Sequence, residues 1–566
     1  MEPWDITTDL LVLGSGAAGM TAAVVGATEG AQVLVCEKMS QVGGTTATSA
    51  GTAWVPGNFK AAESGAPDPR DQIEAYLQAE LGELANTETF RAFMESGPEA
   101  IRYLEANSQV RFDIVRNPDY HLHQPGAVEI GRALVPTPFD GRTLGEDFLL
   151  LREPRNTLMI LGGMMIGRRE IITLLDPFAS MEALRHVVSI IVRHLSDRLR
   201  FHRGTRLMLG NALVARFLAS LRHLKVPIRT NAVLKKLILR EGRVEGAVVE
   251  INGVPKRVLA NRGVLLATGG FPGDTPLLSR LAGNIDGIRS YAYEDSIGEG
   301  IRLAREIGAS IDEDHSTPAF WTPISVMRSS NGAETLWAHH SLDRAKPGLI
   351  AVNRNGRRFV NEGDSYHDFA LGMVQAKHSS SSVPAFLVCD YKFIRKYGLG
   401  LVRPRFQRLK AHVASGYLLE SNSIEGLARK AGIDPGGLQA TVMENNRFAL
   451  TGKDEAFHKG ERGLNRYYGD ADNHPNPCLG PIGTPPYYAV AVYPGVIATS
   501  VGISTDADAR VLTAAGTPIP GLYACGTDMS SIMKGRYLGP GINIGPAIAF
   551  GYRAALHAVG SGSNGN

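Results

Sequence analysis

The chain has 566 residues, 44% of them hydrophobic and 20% charged. That is ordinary globular composition, long enough for two or three domains at about 150 residues each, and it excludes general disorder. Its 59 basic and 56 acidic side chains leave a net charge of +3, too weak a field to gather phosphates, so no nucleic-acid partner is expected.

The opening MEPWDITTDL carries acids where a targeting segment needs basic charge. Asp9 to Leu13 (DLLVL) then reads as a short buried strand stopped by glycine. GSGAAG follows, from Gly14 to Gly19, then an alanine-rich helix to about Gly30 and a second apolar run, VLVCE, ending at Glu37. Glycines at this spacing between strand and helix, with an acid 18 residues beyond the third, form a dinucleotide-binding pattern. Gly14, Gly16, Ala18 and Gly19 make the tight turn that faces the helix N-terminus toward a pyrophosphate. Glu37 is placed to accept from the ribose hydroxyls, with Lys38 beside it. The four cysteines (Cys36, Cys389, Cys478, Cys525) form no C-x-x-C pair and read as reduced thiols. The 64 glycines exceed a usual share of about 7% and imply many positive-φ or close-approach positions.

Which dinucleotide is bound follows from three later segments. In KMSQVGGTTATSAG, the residues Gly43, Gly44, Thr45, Thr46, Ser49 and Gly51 resemble the second phosphate-and-flavin loop of the fumarate reductase/succinate dehydrogenase flavoprotein superfamily. GVLLATGGF, with Ala267, Thr268 and Gly269, resembles that superfamily's second FAD-domain strand. GLYACGTD, with Gly526, Thr527 and Asp528, resembles the strand that delivers ribityl-binding residues. The resemblance implies FAD, held non-covalently because this Gly-Gly loop lacks the histidine through which some relatives attach flavin. It also implies an α/β fold: a Rossmann-like, discontinuous FAD-binding domain over 1–325 and 490–566, with an α+β catalytic cap inserted at 326–489. Within this frame Ile297 to Ile311 reads as a helix, and Asn355-Gly356 as a type I′ hairpin turn between two short strands. A last helix opens at Asn543 and Ile544, its N-terminus suited to negative charge on the flavin. No metal-ligand spacing stands out; His121/His123 and His339/His340 read as surface or hydrogen-bonded histidines.

The stretch KGRYLGPGINIGPAIAFGY, Lys534 to Tyr552, narrows the reading. In dicarboxylate reductases the corresponding arginine clamps a substrate carboxylate; aligning Leu538-Gly539 puts Tyr537 at that place, with Arg536 one residue out of register. A phenol followed by Gly-Pro-Gly resembles the Y-x-G-P-G motif of the 3-ketosteroid Δ1-dehydrogenases. Pro118 to Gly145 resembles that family's segment bearing a pocket tyrosine, here Tyr120, although its P-G-G is P-G-A at Pro125 to Ala127. Arg357 to Tyr366 resembles the cap segment with the catalytic base, here Tyr366. The family resemblance implies 1,2-dehydrogenation of a 3-oxosteroid, with Tyr366 taking the C2 proton and Tyr537 and the Gly541 N–H polarising the C3 ketone. A hydrogen bond from Tyr120 is one means of stabilising a Tyr366 phenolate. Tyr487, Tyr488 and Tyr493 are decoys that could line the pocket without reacting. The alternatives are a Δ4-dehydrogenase on the same scaffold, a fumarate-type ene-reductase, disfavoured by the missing arginine, and a non-catalytic flavoprotein. A quinone-like electron acceptor is implied.

Residues 168–206 look inserted: eight arginines, no lysine and four acids. Met181, Leu184, Val187, Val188, Ile191, Leu195 and Leu199 fall on one helical face. Such a helix suits either peripheral membrane contact or docking on the protein body or a partner subunit, docking being the plainer reading. No run of 18 apolar residues spans a membrane, the nearest being LMILGGMMIG from Leu158. A cytoplasmic location, with peripheral association at the membrane, is expected.

Overall fold

A computed structural model of the chain describes residues 3–167, 170, 173–174, 177–375, 383–405 and 409–560. Arg168, Arg169 and Asp176 of the insertion and most of the terminal GSGSNGN lie outside the described residues.

The first sheet grows from the motif read above. Strands β1 (Ile6–Leu13) and β2 (Val33–Cys36) are parallel, joined by helix α1 (Ala17–Thr28). Leu10 to Leu13 are buried on both faces, as parallel strands covered by helices must be. Helix α2 is Met181–Arg198. Strand β3 (Val254–Leu266) pairs parallel with β1, Leu10 opposite Gly263, and strands 232–240 and 243–251 extend the sheet antiparallel.

A second, largely antiparallel sheet is built around two long strands, β4 (Ala319–Arg328) and β5 (Tyr487–Thr499), which pair along most of their length. Positions 325 and 490 both lie inside these strands. Helix α3 (Tyr366–Gln375) packs on this sheet. The chain then returns to the first sheet through β6 (Pro518–Ala524), parallel to β3, and ends in α4 (Ile544–Gly560), laid against α1. The fold is therefore the α/β one expected.

Local expectations fared unevenly. The helix expected over Ile297 to Ile311 is shorter, Glu299–Glu306; Gly308 at φ +96° ends it and Ile311 enters a strand. Asn355-Gly356 is not a type I′ hairpin. Only Gly356 has positive φ (+69°), and no strand follows it. The tertiary reason is Arg358, which leaves the sheet to form buried ion pairs with Glu362 and Asp454 at 2.7 and 2.8 Å.

The insertion helix docks on the protein body along one side only. Helix α2 turns Val187, Ile190, His194 and Asp197 inward and leaves Val192 59%, Leu195 62% and Leu199 86% exposed, with Met181 and Val188 also in solvent. Asp197 can face inward because Thr205 donates to it from backbone and hydroxyl at 2.9 and 2.8 Å. Met181, Val188, Leu195 and Leu199 of the apolar stripe thus face solvent, while Val187 packs on the body.

Candidate active site

The cofactor cradle is made mostly of backbone. Gly14 ends β1 at φ +109°, and a Cβ there would sit 2.1 Å from the Ala267 carbonyl oxygen, so only glycine lets β1 and β3 close together. Gly16 is the residue preceding α1, and no side chain caps the helix from there. Ala18 and Gly19 lie buried in its first turn, where the Ala17 N–H donates to the Thr46 hydroxyl at 3.1 Å. No acid stands in that turn. A helix start closed by one neutral hydroxyl suits a diphosphate, since its remaining first-turn N–H groups and dipole favour an anion.

Glu37 closes the loop from the far side. Its carboxylate accepts from the Ser15 hydroxyl, from the Ser15 N–H at 3.1 Å and from the Met39 N–H at 3.0 Å. The Gly43 N–H donates to Ser15 Oγ at 2.9 Å, and Gly44 opens a short helix. Thr45 accepts from the Tyr293 N–H at 3.0 Å. Ser49 accepts from Gly51 N–H and donates to the Thr46 carbonyl, both at 2.9 Å. Two expected cofactor contacts come out differently. Lys38 is turned away, paired with Glu299 and donating to the Asp295 carbonyl at 2.6 Å. Asp528 is fully buried, and its two oxygens accept from Thr268 and from the Gly270 N–H, which leaves it as a fastener of the Ala267–Gly269 turn rather than a ribityl contact. Burial holds its carboxyl above the usual range. Gly526, Thr527, Ser530, Ile542, Asn543 and Pro546 line a narrow cleft that ends at the start of α4, next to Ile544. Uncapped helix start and cleft together fit FAD, whose redox chemistry the chain itself lacks.

The structure brings the three tyrosines together from three separate segments. The hydroxyls of Tyr366 and Tyr537 lie 2.7 Å apart. Tyr120 stacks on Tyr537 with ring centroids 5.5 Å apart and meets Tyr366 edge-on, also at 5.5 Å. Phe320, His367 and His340 close the cluster; His340 lies 4.6 Å from the Tyr366 ring. Arg536 is exposed and donates to the Glu80 carbonyl, so it does not replace the missing cation. Tyr488 is packed in the cap core on β5, and Tyr493 stacks with Arg289.

Burial pushes all three phenols well above 10. After burial, the nearby Tyr120 is the next influence raising Tyr366. The Tyr366 hydroxyl donates to the Tyr537 oxygen, and this contact is the one influence between them that lowers Tyr366. Burial also drives His340 down to about 3 and His367 down to about 4, so both are neutral.

Sequence reasoning missed the scaffold under the cluster. The Leu538 carbonyl accepts from the Tyr120 N–H at 2.8 Å and the Tyr76 hydroxyl at 2.7 Å. Gly541 sits at φ +101°, where a Cβ would come within 2.5 Å of the Thr52 carbonyl oxygen, and its own carbonyl accepts from the Trp54 N–H at 3.0 Å. The Trp54 indole donates to Asp119 at 2.9 Å, and Arg132 pairs with Asp119 and Asp68, each at 2.8 Å. Burial raises Asp119 to about 6 against the pull of Arg132. His121 bridges Glu80 and Asp368 at 2.7 and 3.0 Å, tying the Tyr120 loop to α3. Only adjacency hinted at this: Asp119 and His121 flank Tyr120.

Comparison with known proteins follows the geometry. Residues 9–544 match the FAD binding domain family. The chain is 36% identical over 554 residues to the 4-oxocyclohex-2-ene-1-carboxylate 5-dehydrogenase of Sinomonas cyclohexanicum, covering 97% of this chain and 93% of that one. It is 32% identical to a 3-oxosteroid 1-dehydrogenase of Mycobacterium tuberculosis, over 97% and 98% of the two chains. The crystal structure of a 3-ketosteroid Δ1-dehydrogenase from Sterolibacterium denitrificans, with 1,4-androstadiene-3,17-dione, superposes with a TM-score of 0.90 at 36% identity, covering 98% of this chain and all of that one.

Proposed function

From the premise that the chain belongs to the FAD binding domain family of flavoproteins and binds FAD, we propose that it is a ketone dehydrogenase of the 3-oxosteroid 1-dehydrogenase type. It introduces a double bond next to the carbonyl of a cyclic ketone, at C1–C2 of a 3-oxosteroid. The observation that carries this reading is the Tyr366–Tyr537 contact of 2.7 Å beside Gly541. Bound FAD supplies hydride-accepting chemistry. The remaining work belongs to the chain. Tyr537 and the Gly541 N–H are neutral donors in a dry pocket, aimed at the ketone oxygen where enolate charge develops. Tyr366 takes the proton from C2. A ketone oxygen that engages Tyr537 also releases the Tyr366 hydroxyl from its 2.7 Å partner, so substrate binding leaves that hydroxyl facing the C2 hydrogen. Tyr120 shares its hydrogen bond with Tyr366 and serves as the next stop for the proton.

Residues 1–325 and 490–566 hold the cofactor and 326–489 form the cap. A quinone-like acceptor reoxidises the flavin. The outward stripe of α2, with Arg142, Arg185 and Arg193 along the groove beside it, supports peripheral contact with an anionic membrane from the cytoplasmic side. Among the described residues no helix is long and apolar enough to cross a membrane.

The test is anaerobic mixing of the yellow protein with androstenedione, 4-oxocyclohexanecarboxylate and fumarate, following flavin absorbance and product. Bleaching by a ketone with formation of the α,β-unsaturated product is expected. A Δ4 product from a saturated-ring steroid, or response to fumarate alone, would overturn the reading.

A further inference from the structure

Arginines stand behind one side of the tyrosine cluster, and nothing in the dehydrogenation of a neutral ketone uses their charge. The Tyr366 ring lies 4.6 Å from His340, and His340 meets Tyr291 edge-on at 6.0 Å. The Arg155 guanidinium covers the Tyr291 ring at 4.0 Å. Its NH2 donates to the backbone carbonyls of Tyr291 and Ala292 at 2.6 and 3.3 Å. Among the described residues no carboxylate pairs with it. Glu294, the acid that influences it, is exposed. Arg152, one turn of chain earlier, covers Tyr293 at 3.3 Å and leaves one guanidinium nitrogen buried without a partner. On the other side of His340, Arg344 is fully buried and donates to the carbonyls of His339, His340, Glu362 and Asp364. Asp343 beside it is occupied by His339 at 2.6 Å.

Stripping a guanidinium of water is expensive unless an anion meets it, and an apolar ring system gains nothing from such a group. A planar fork on an aromatic platform suits a carboxylate, which it can bind through two parallel N–H bonds. His340 cannot compensate as a cation, since burial and the neighbouring Arg344 and Arg155 keep it neutral. We propose that Arg155 is a carboxylate-recognising residue of the substrate pocket, and that the substrate is a cyclic ketone carrying a carboxylate remote from its reacting carbonyl. The proposal rests on the ketone dehydrogenase reading. Two sources share the chemistry: a small oxocyclohexane acid, and a 3-oxosteroid with an acidic side chain.

The experiment compares the full-length holoenzyme with Arg155→Gln and Arg155→Lys. The paired substrates are 4-oxocyclohexanecarboxylate with its methyl ester and 3-oxochol-4-en-24-oic acid with its methyl ester. Within each protein the acid-to-ester ratio of kcat/KM is measured. In the pair that matches the natural substrate, the ratio should fall roughly 10–100-fold in Arg155→Gln, as loss of a charge-assisted pair does, chiefly through KM. Arg155→Lys should keep part of it, and the pair affected identifies the source. A ratio equal in wild type and Arg155→Gln for both pairs overturns the proposal while leaving the dehydrogenase reading intact. Anaerobic titration of flavin absorbance with benzoate gives a second measure. Weaker benzoate binding in Arg155→Gln, with no ketone oxidised by any protein, would sink the dehydrogenase reading and sustain the carboxylate site.

Discussion

The FAD cradle and the tyrosine cluster solve the same problem, holding a reactive group in one place, by opposite means. The cradle is written in backbone: Gly14 against Ala267, a helix start at Gly16, loops fastened by Ser15, Glu37 and Asp528. Its first part, Gly14 to Glu37, is close in sequence, and Ala267 and Asp528 close it from later segments. The cluster is written in side chains drawn from three distant segments, with Tyr366 and Tyr537 separated by 171 positions. It depends on a second layer, Trp54, Asp119, Arg132 and Tyr76, none of which touches the Tyr366–Tyr537 bond. Backbone sites tolerate little change in shape, whereas side-chain sites tolerate little change in chemistry.

The sharpest way to break the cradle alone is Gly14→Ala. The added Cβ collides with the Ala267 carbonyl at 2.1 Å, a backbone atom that cannot yield. The protein should purify without flavin or fail to accumulate, read by absorbance; a yellow, fully loaded variant would contradict the cradle. Breaking the cluster without the cradle comes next. Tyr366→Phe should keep full flavin and lose turnover toward the upper end of roughly 10²–10⁴-fold. Exchange of the C2 hydrogen with solvent deuterium should stop with it. Persisting exchange would move the base elsewhere. Tyr537→Phe removes one of two donors to the ketone oxygen and should cost roughly 10²–10³ in kcat, leaving measurable activity through Gly541.

Smaller effects test regions outside both sites. Val192→Glu with Leu195→Glu on α2 should weaken association with anionic vesicles roughly a hundredfold, since each buried aliphatic side chain is worth about 1.5–3 kcal/mol. Sedimentation with vesicles checks this, and undiminished binding would return α2 to a plain surface helix. His121 offers a pH-dependent probe of the cluster's support. Burial alone would lower its imidazole, but the bonds to Asp368 and Glu80 outweigh that and push it up to about 10. Its contribution is therefore fully present below the usual histidine value of about 6.5 and fades as pH rises through about 10. The melting temperature of His121→Gln should fall below wild type by roughly 2–4 °C under pH 6.5 and converge with it near pH 10. A constant gap across that range would show that the pair of carboxylates is not holding an imidazolium.

Sequence alone determined what is local or periodic: the strand–glycine–helix unit of Gly14 to Gly19, the acid at Glu37, the helix beginning at Ile544, and a phenol at Tyr537 where a carboxylate clamp would need a cation. Those readings hold because glycine positions, capping and helical periodicity act over a few residues. Tertiary structure decided the rest. It turned the apolar stripe of α2 outward because Asp197 found Thr205. It cancelled the Asn355-Gly356 hairpin because Arg358 found Glu362. It also brought Tyr120, Tyr366 and Tyr537 together from three distant segments, where burial raises all three phenols. Arg155 had no sequence signal, because a cation is distinguished from a solvated one only by what surrounds it once the chain has folded.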